Sequence, residues 1–98
     1  MAREAVQLRF LTNHAYVVLA VAAWPNLTVR QIAERVGITE RATYAVLRDL
    51  EGAGYVSRLR SGTRLAIVPH LDRPLPHPLL SGRTLADLTA LLPGRTGN

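Results

Sequence analysis

The chain has 98 residues and a formal net charge of +5, with an isoelectric point near 11.1. That length accommodates one domain, close to the lower limit for an independent core, so a second copy is a natural supplement. The absence of cysteine excludes disulfides, thiolate metal sites and cysteine nucleophiles and suits a cytoplasmic setting, while the basic excess makes a phosphate-rich partner the first expectation.

All twelve basic residues are arginine, a choice that codon usage in a GC-rich genome also produces. Where the arginines fall therefore carries more weight than how many there are.

Residues 1–11 form an N-terminal segment ahead of a first helix capped by Thr12 or Asn13 and ending near Trp24. From Phe10 to Val29 no side chain is formally charged, with histidine neutral. The helix is thus apolar nearly all round. A three-helix domain buries about half of each helix, so the surplus of Val17, Val18, Leu19 and Val21 is expected to meet a second surface. Val17, Val18 and Val21 are accordingly candidate contacts between subunits. The run is too short to cross a bilayer and has no signal-peptide pattern, so no membrane partner is expected. Pro25-Asn26 then makes a turn, and Leu27 is placed to add a minimal third strand to a later hairpin.

Thr28 sits where an N-cap hydroxyl accepts a backbone N–H, Gln31 completes a capping box, and Gly37 supplies the left-handed residue that ends a helix. The spacing predicts a helix over Val29–Val36, with Val29, Ile32, Ala33 and Val36 on one stripe and Arg30, Gln31, Glu34 and Arg35 facing away. Thr39 caps another helix two residues after Gly37, which leaves the chain room only for a sharp turn. Small Ala33 lets that helix approach closely. It carries Val46, Leu47 and Leu50 inward and ends near Ala53-Gly54. Two short helices joined in this way outline a helix-turn-helix, which points to DNA.

Ile32-Ala33, Gly37-Ile38-Thr39, Val46-Leu47, Leu50-Glu51 and Ala53-Gly54-Tyr55-Val56 carry a family resemblance. On these residues the segment resembles the winged helix-turn-helix of small bacterial and archaeal transcription regulators of the MarR and ArsR kind. Thr43 departs from the pattern, standing where the family usually has valine or isoleucine. It is nearly isosteric with valine, and its hydroxyl can bond the carbonyl one turn back, so the motif should tolerate it. Phe10 to Ala15 and Pro76-His77-Pro78-Leu79 further resemble a subgroup of very small regulators without a sensor domain.

The resemblance implies a wing after the third helix: Tyr55 to Arg60, a turn at Ser61-Gly62, and Arg64 to Val68. Leu59, Leu65 and Ile67 would cover the core while Arg58, Arg60 and Arg64 project. Next, Pro69, Pro74, Pro76 and Pro78 forbid a helix and favour an extended arm over 69–82. Thr84 and Asp87 resemble a capping box for a helix over 83–93, with Leu85, Leu88, Leu91 and Leu92 on one face. So short a helix is marginal alone and must dock, here expected on a twin subunit, which makes those leucines candidate dimer contacts. Residues 94–98 are expected to be a disordered tail.

The fold expected is therefore mainly α with a small β-hairpin: a winged helix-turn-helix over 12–68, with an additional C-terminal helix. The function it implies is that of a sequence-specific regulator of transcription, a homodimer on an inverted repeat of double-stranded DNA. The recognition helix 39–53 would enter the major groove, presenting Thr39, Glu40, Arg41, Ala42, Tyr44, Ala45 and Arg48 to base edges. The wing, 57–66, would place Arg58, Arg60, Ser61, Gly62, Thr63 and Arg64 on the backbone or minor groove. Asn13, His14, Thr28 and Arg30 are candidate backbone contacts near helix N-termini. Arg48 has a competing role as an ion-pair partner of Asp49 or Glu51.

An enzyme is not expected, since Glu34, Glu40, Asp49 and Glu51 fall on surface helices and no Gly-rich phosphate loop is present. No cofactor is called for. His70, Asp72 and His77 on the arm make a metal-responsive regulator a rival. A protein-docking winged helix is the main alternative. Readers of left-handed DNA or double-stranded RNA rank lower, because the wing tip lacks the prolines they place there.

Overall fold

The computed structural model describes residues 8–94, apart from the side chains of Ser61 and Arg64. Most of the N-terminal segment and of the expected tail lies outside the described residues. The elements in chain order are α1 (Asn13–Ala23), α2 (Val29–Val36), α3 (Glu40–Gly52), β1 (Val56–Ser61), β2 (Arg64–Pro69), a 3-10 turn (Pro78–Leu80) and α4 (Leu85–Thr89).

Threonines open the first three helices. The hydroxyls of Thr12, Thr28 and Thr39 accept from the amides of Ala15, Gln31 and Ala42 respectively, each cap contributing about 1 kcal/mol. Thr28 and Gln31 form the reciprocal capping box, the Gln31 side chain accepting from Thr28 N–H at 2.9 Å. Gly37 ends α2 at φ +87°, and the amides of Gly37 and Ile38 both reach the Ala33 carbonyl. That compact C-cap turns the chain directly into α3, as the helix-turn-helix spacing predicts.

The three helices pack around one core with the hairpin closing its side. Val17, Val18, Ile32, Leu47 and Val56 are essentially inaccessible, and Val21, Val29, Val46, Leu50, Ile67 and Leu85 join them. Val17, Val18 and Val21 thus spend their apolar surface inside their own chain. The surplus on α1 has its partners in α2, α3, β2 and α4, because the wing and the terminal helix wrap the side that a bare three-helix bundle would leave open.

The sheet has two antiparallel strands. Leu27 adds no third strand: its amide donates to the Trp24 carbonyl, so the turn at Pro25-Asn26 consumes the group a strand would need. Pairing of Ser61 with Arg64 places the hairpin turn at Gly62-Thr63, one residue later than expected, with Gly62 at φ +64°. A two-residue hairpin loop with glycine first demands such a φ.

Strand register corrects one further expectation. Val56 is buried, and alternation then puts Arg58 and Arg60 on the core side of β1 and Leu59 on the other. Leu59 faces Ala66 across the ladder and is 56% exposed, whereas Arg58 lies opposite buried Ile67. Leu59 therefore cannot share a face with Leu65 and Ile67.

The proline-rich segment folds back instead of reaching away. Pro74 and Thr84 form an isolated antiparallel bridge, the Leu75 amide donates to the Arg83 carbonyl, and the Leu85 amide to the Arg73 carbonyl. Its return delivers α4 to the chain's own core. Leu85 is 2% exposed there, Leu88 packs against the cluster, and α4 contacts α1. The helix is also shorter than 83–93, with Leu91 exposed beyond its end.

Candidate nucleic-acid interface

Burial of Thr43, Val46, Leu47 and Leu50 fixes the orientation of α3. The opposite stripe, Arg41, Ala45, Arg48 and Gly52, is exposed along its whole length. Glu40 and Tyr44 are exposed on one flank and Ala42 is half-buried. The Thr39 hydroxyl is engaged as the cap, accepting from Ala42 N–H at 3.0 Å.

The carboxylates near Arg48 are already engaged. Asp49 Oδ2 lies 2.9 Å from His14 Nε2, and Glu51 Oε1 lies 2.8 Å from Arg58. Among the described residues, neither Arg41 nor Arg48 has a carboxylate within ion-pair distance. Arg48 thus makes no ion pair with Asp49 or Glu51, and the outward stripe of α3 presents two guanidinium groups with no carboxylate partner among the described residues. The same contact holds His14 against Asp49, so its imidazole faces an anion. Asn13 is the first helical residue and accepts from Arg9 at 2.9 Å, leaving Thr12 as the cap. Arg30 is exposed and lies 3.8 Å from Glu34.

Beside α3, the wing and the start of α2 enclose a cleft of about 440 Å³ lined by Asn26, Thr28, Tyr44, Arg60 and Thr63 among others, with no carboxylate. Arg60, Gly62 and Thr63 are exposed at the wing tip, while the side chains of Ser61 and Arg64 lie outside the described residues. Arg58 does not project with them. Both its Nε and Nη2 approach Glu51 Oε1 at 2.8 Å, so it ties β1 to the last turn of α3.

Arg73, which carries no pattern in the sequence, supports the same junction from behind. Its Nη2 donates to the Ala53 carbonyl at 3.2 Å, and its guanidinium lies 6.0 Å from the centroid of the Tyr55 ring. Tyr55 in turn donates from its hydroxyl to the Pro74 carbonyl at 2.5 Å. Only the fold-back of the arm brings these residues together.

Among the described residues no three His, Cys, Asp or Glu side chains converge. His70 Nε2 is 2.6 Å from Ser57 Oγ, and His77 Nδ1 accepts from Leu79 N–H to cap the 3-10 turn. Each imidazole is engaged by a different local partner. Among the described residues no helix is long and apolar enough to cross a membrane.

The family model for the sugar-specific transcriptional regulator TrmB matches residues 11–76, more than half of the chain. The chain belongs to the TrmB family. Its winged-helix fold is also that of the MarR family protein Rv2887 of Mycobacterium tuberculosis. The crystal structure of Rv2887 in complex with salicylic acid matches at 33% identity and a TM-score of 0.50, covering 61% of this TrmB-family chain and 47% of the other. The complex with p-aminosalicylic acid matches at 32% identity and 0.49, covering 61% and 48%. The match spans about half the length of the Rv2887 chain. No curated protein matches this TrmB-family member.

Proposed function

We propose that the chain is a sequence-specific regulator that binds double-stranded DNA as a homodimer on an inverted repeat. The N-terminal half of α3 enters the major groove, and the wing lies on flanking backbone or minor groove. One observation carries this reading: among the described residues the outward stripe of α3 offers Arg41 and Arg48 with no carboxylate partner, while the acidic side chains Asp49 and Glu51 are drawn aside by His14 and Arg58. Arginine at such a position binds a guanine edge bidentately. Tyr44, Arg60 and Thr63 follow as flanking contacts, together with the caps at Thr28 and Thr39, whose helices direct their N-terminal amides at phosphate. An apolar groove of about 540 Å³ lined by Phe10, Leu11, Leu75, Leu80 and Leu88 supports pairing of two copies.

Selection of bound sequences from random duplex DNA tests the proposal. Enrichment of a two-fold symmetric site with half-sites about one DNA turn apart, roughly 34 Å, is the expected result. Recovery of unenriched DNA would count against sequence-specific reading.

A docking role has one observation in its favour. The outer face of the wing exposes Leu59, Ala66 and Val68, with Leu71 exposed nearby. A docking module would show little DNA affinity even at low salt.

A further inference from the structure

We propose that Glu51 and Arg58 form a clamp that sets the angle of the wing, making Arg58 a positioning residue for Arg60 and not itself a DNA contact. The inference rests on the DNA-binding reading above and assigns the wing its geometry. Val56 is 2% exposed, so Arg58, two residues on, stands on the core side of β1 opposite Ile67. A guanidinium there needs a partner close at hand. It has one, because Nε and Nη2 both lie 2.8 Å from Glu51 Oε1, with the two side chains only 30% and 40% exposed.

The connection this pair spans is short, and Arg73 braces it on one side through the Ala53 carbonyl. Ala53, Gly54 and Tyr55 link α3 to β1, with Gly54 at φ +84°. The hairpin has two strands and no neighbour in its sheet, so the angle it makes with α3 rests on the packing of Val56 and Ile67, on the Arg73 and Tyr55 contacts at its root, and on this pair, the ion pair that joins α3 to β1 among the described residues. Arg60 follows Arg58 on the same face and borders the cleft shared with Tyr44 and Thr63. Rotation of the hairpin about Gly54 would carry Arg60 away from that cleft. A half-exposed ion pair adds little global stability, so its loss should be read in geometry and affinity.

Charge gives the inference a sharp sign. Deleting a carboxylate near a DNA-binding surface should strengthen binding to phosphate if that carboxylate is merely nearby. Under the clamp, Glu51→Gln must weaken it.

Two measurements decide. The chain has no cysteine, so nitroxide labels at T63C and E34C report the wing-to-α2 distance in the free protein. Glu51→Gln and Arg58→Gln should each broaden that distance distribution, and the charge-swapped pair E51R with R58E should narrow it again. Unlabelled proteins are then titrated with the duplex enriched from random DNA. Each single variant should bind roughly fivefold weaker, with the swapped pair recovering most of the loss. An unmodified chain that binds no duplex overturns the DNA reading itself. An unmodified chain that binds, beside an E51Q protein that binds as tightly or tighter, or a swapped pair that stays as weak as R58Q, overturns the clamp alone.

Discussion

The Thr43 hydroxyl donates to the Thr39 carbonyl at 2.9 Å, one turn back along α3, and the side chain is wholly buried. That carbonyl also accepts from the Thr43 amide at 3.0 Å. Thr43→Val therefore leaves no buried group unpaired and should change stability by less than about 1 kcal/mol, while Thr43→Ala opens a cavity costing about 1–2 kcal/mol. Urea unfolding of the two variants checks the difference. Equal losses would mean that the hydroxyl, and not the methyl, holds α3 in place.

Docking of α4 on its own core sets a second expectation. Leu85 is 2% exposed and Leu91 is 67% exposed, so Leu85→Ala should cost about 2–5 kcal/mol and Leu91→Ala close to nothing. The Leu85→Ala loss should not depend on protein concentration. A loss that vanishes on dilution would instead place Leu85 in a contact between subunits.

Gly54 and Arg73 should behave as a coupled pair. A Cβ at Gly54 would stand 2.9 Å from Arg73 Nη2, on a backbone at φ +84°. Gly54→Ala thus carries backbone strain of about 1 kcal/mol or more and displaces Arg73 from the Ala53 carbonyl. In an Arg73→Ala background only the backbone part remains, so a double-mutant cycle measured by thermal unfolding should show a smaller glycine penalty there. Strict additivity would contradict the contact.

Arg41 and Arg60 should separate by kind of effect. Arg41→Ala is expected to cost roughly 1–3 kcal/mol on the selected duplex and to relax its preference, whereas Arg60→Ala should weaken all sequences alike and lower the salt slope by about one. Competition titrations against random duplex measure both. Equal losses on every sequence for Arg41→Ala would remove it from base reading.

Local signals made the helices legible in the sequence. The threonines at 12, 28 and 39 and the glycine at 37 each act within a few residues, so caps, turn and the inward stripe of α3 follow from spacing alone. Strand register does not, because a single step exchanges faces: reading Leu59 as apolar and hence buried sent Arg58 to the wrong side, when burial of Val56 decides both. Partners distant in sequence were equally hidden. His14 with Asp49, Glu51 with Arg58 and Arg73 with Ala53 depend on packing between elements, yet they leave Arg41 and Arg48 without a carboxylate partner among the described residues and support the wing root. The prolines at 69, 74 and 76 lie outside helices while Pro78 opens the 3-10 turn, and the turn back on Pro74 and Thr84 is a tertiary outcome.

The most direct measurement is an equilibrium titration of the intact chain with the duplex selected from random DNA, at several salt concentrations. DNA binding through α3 and the wing requires tight association at low salt whose logarithm falls linearly with log salt, by about 0.9 for each phosphate neutralised. It also requires loss of the preference for the selected site in Arg41→Ala. Little affinity even at low salt, with Arg41→Ala indistinguishable from the unmodified chain, would contradict it.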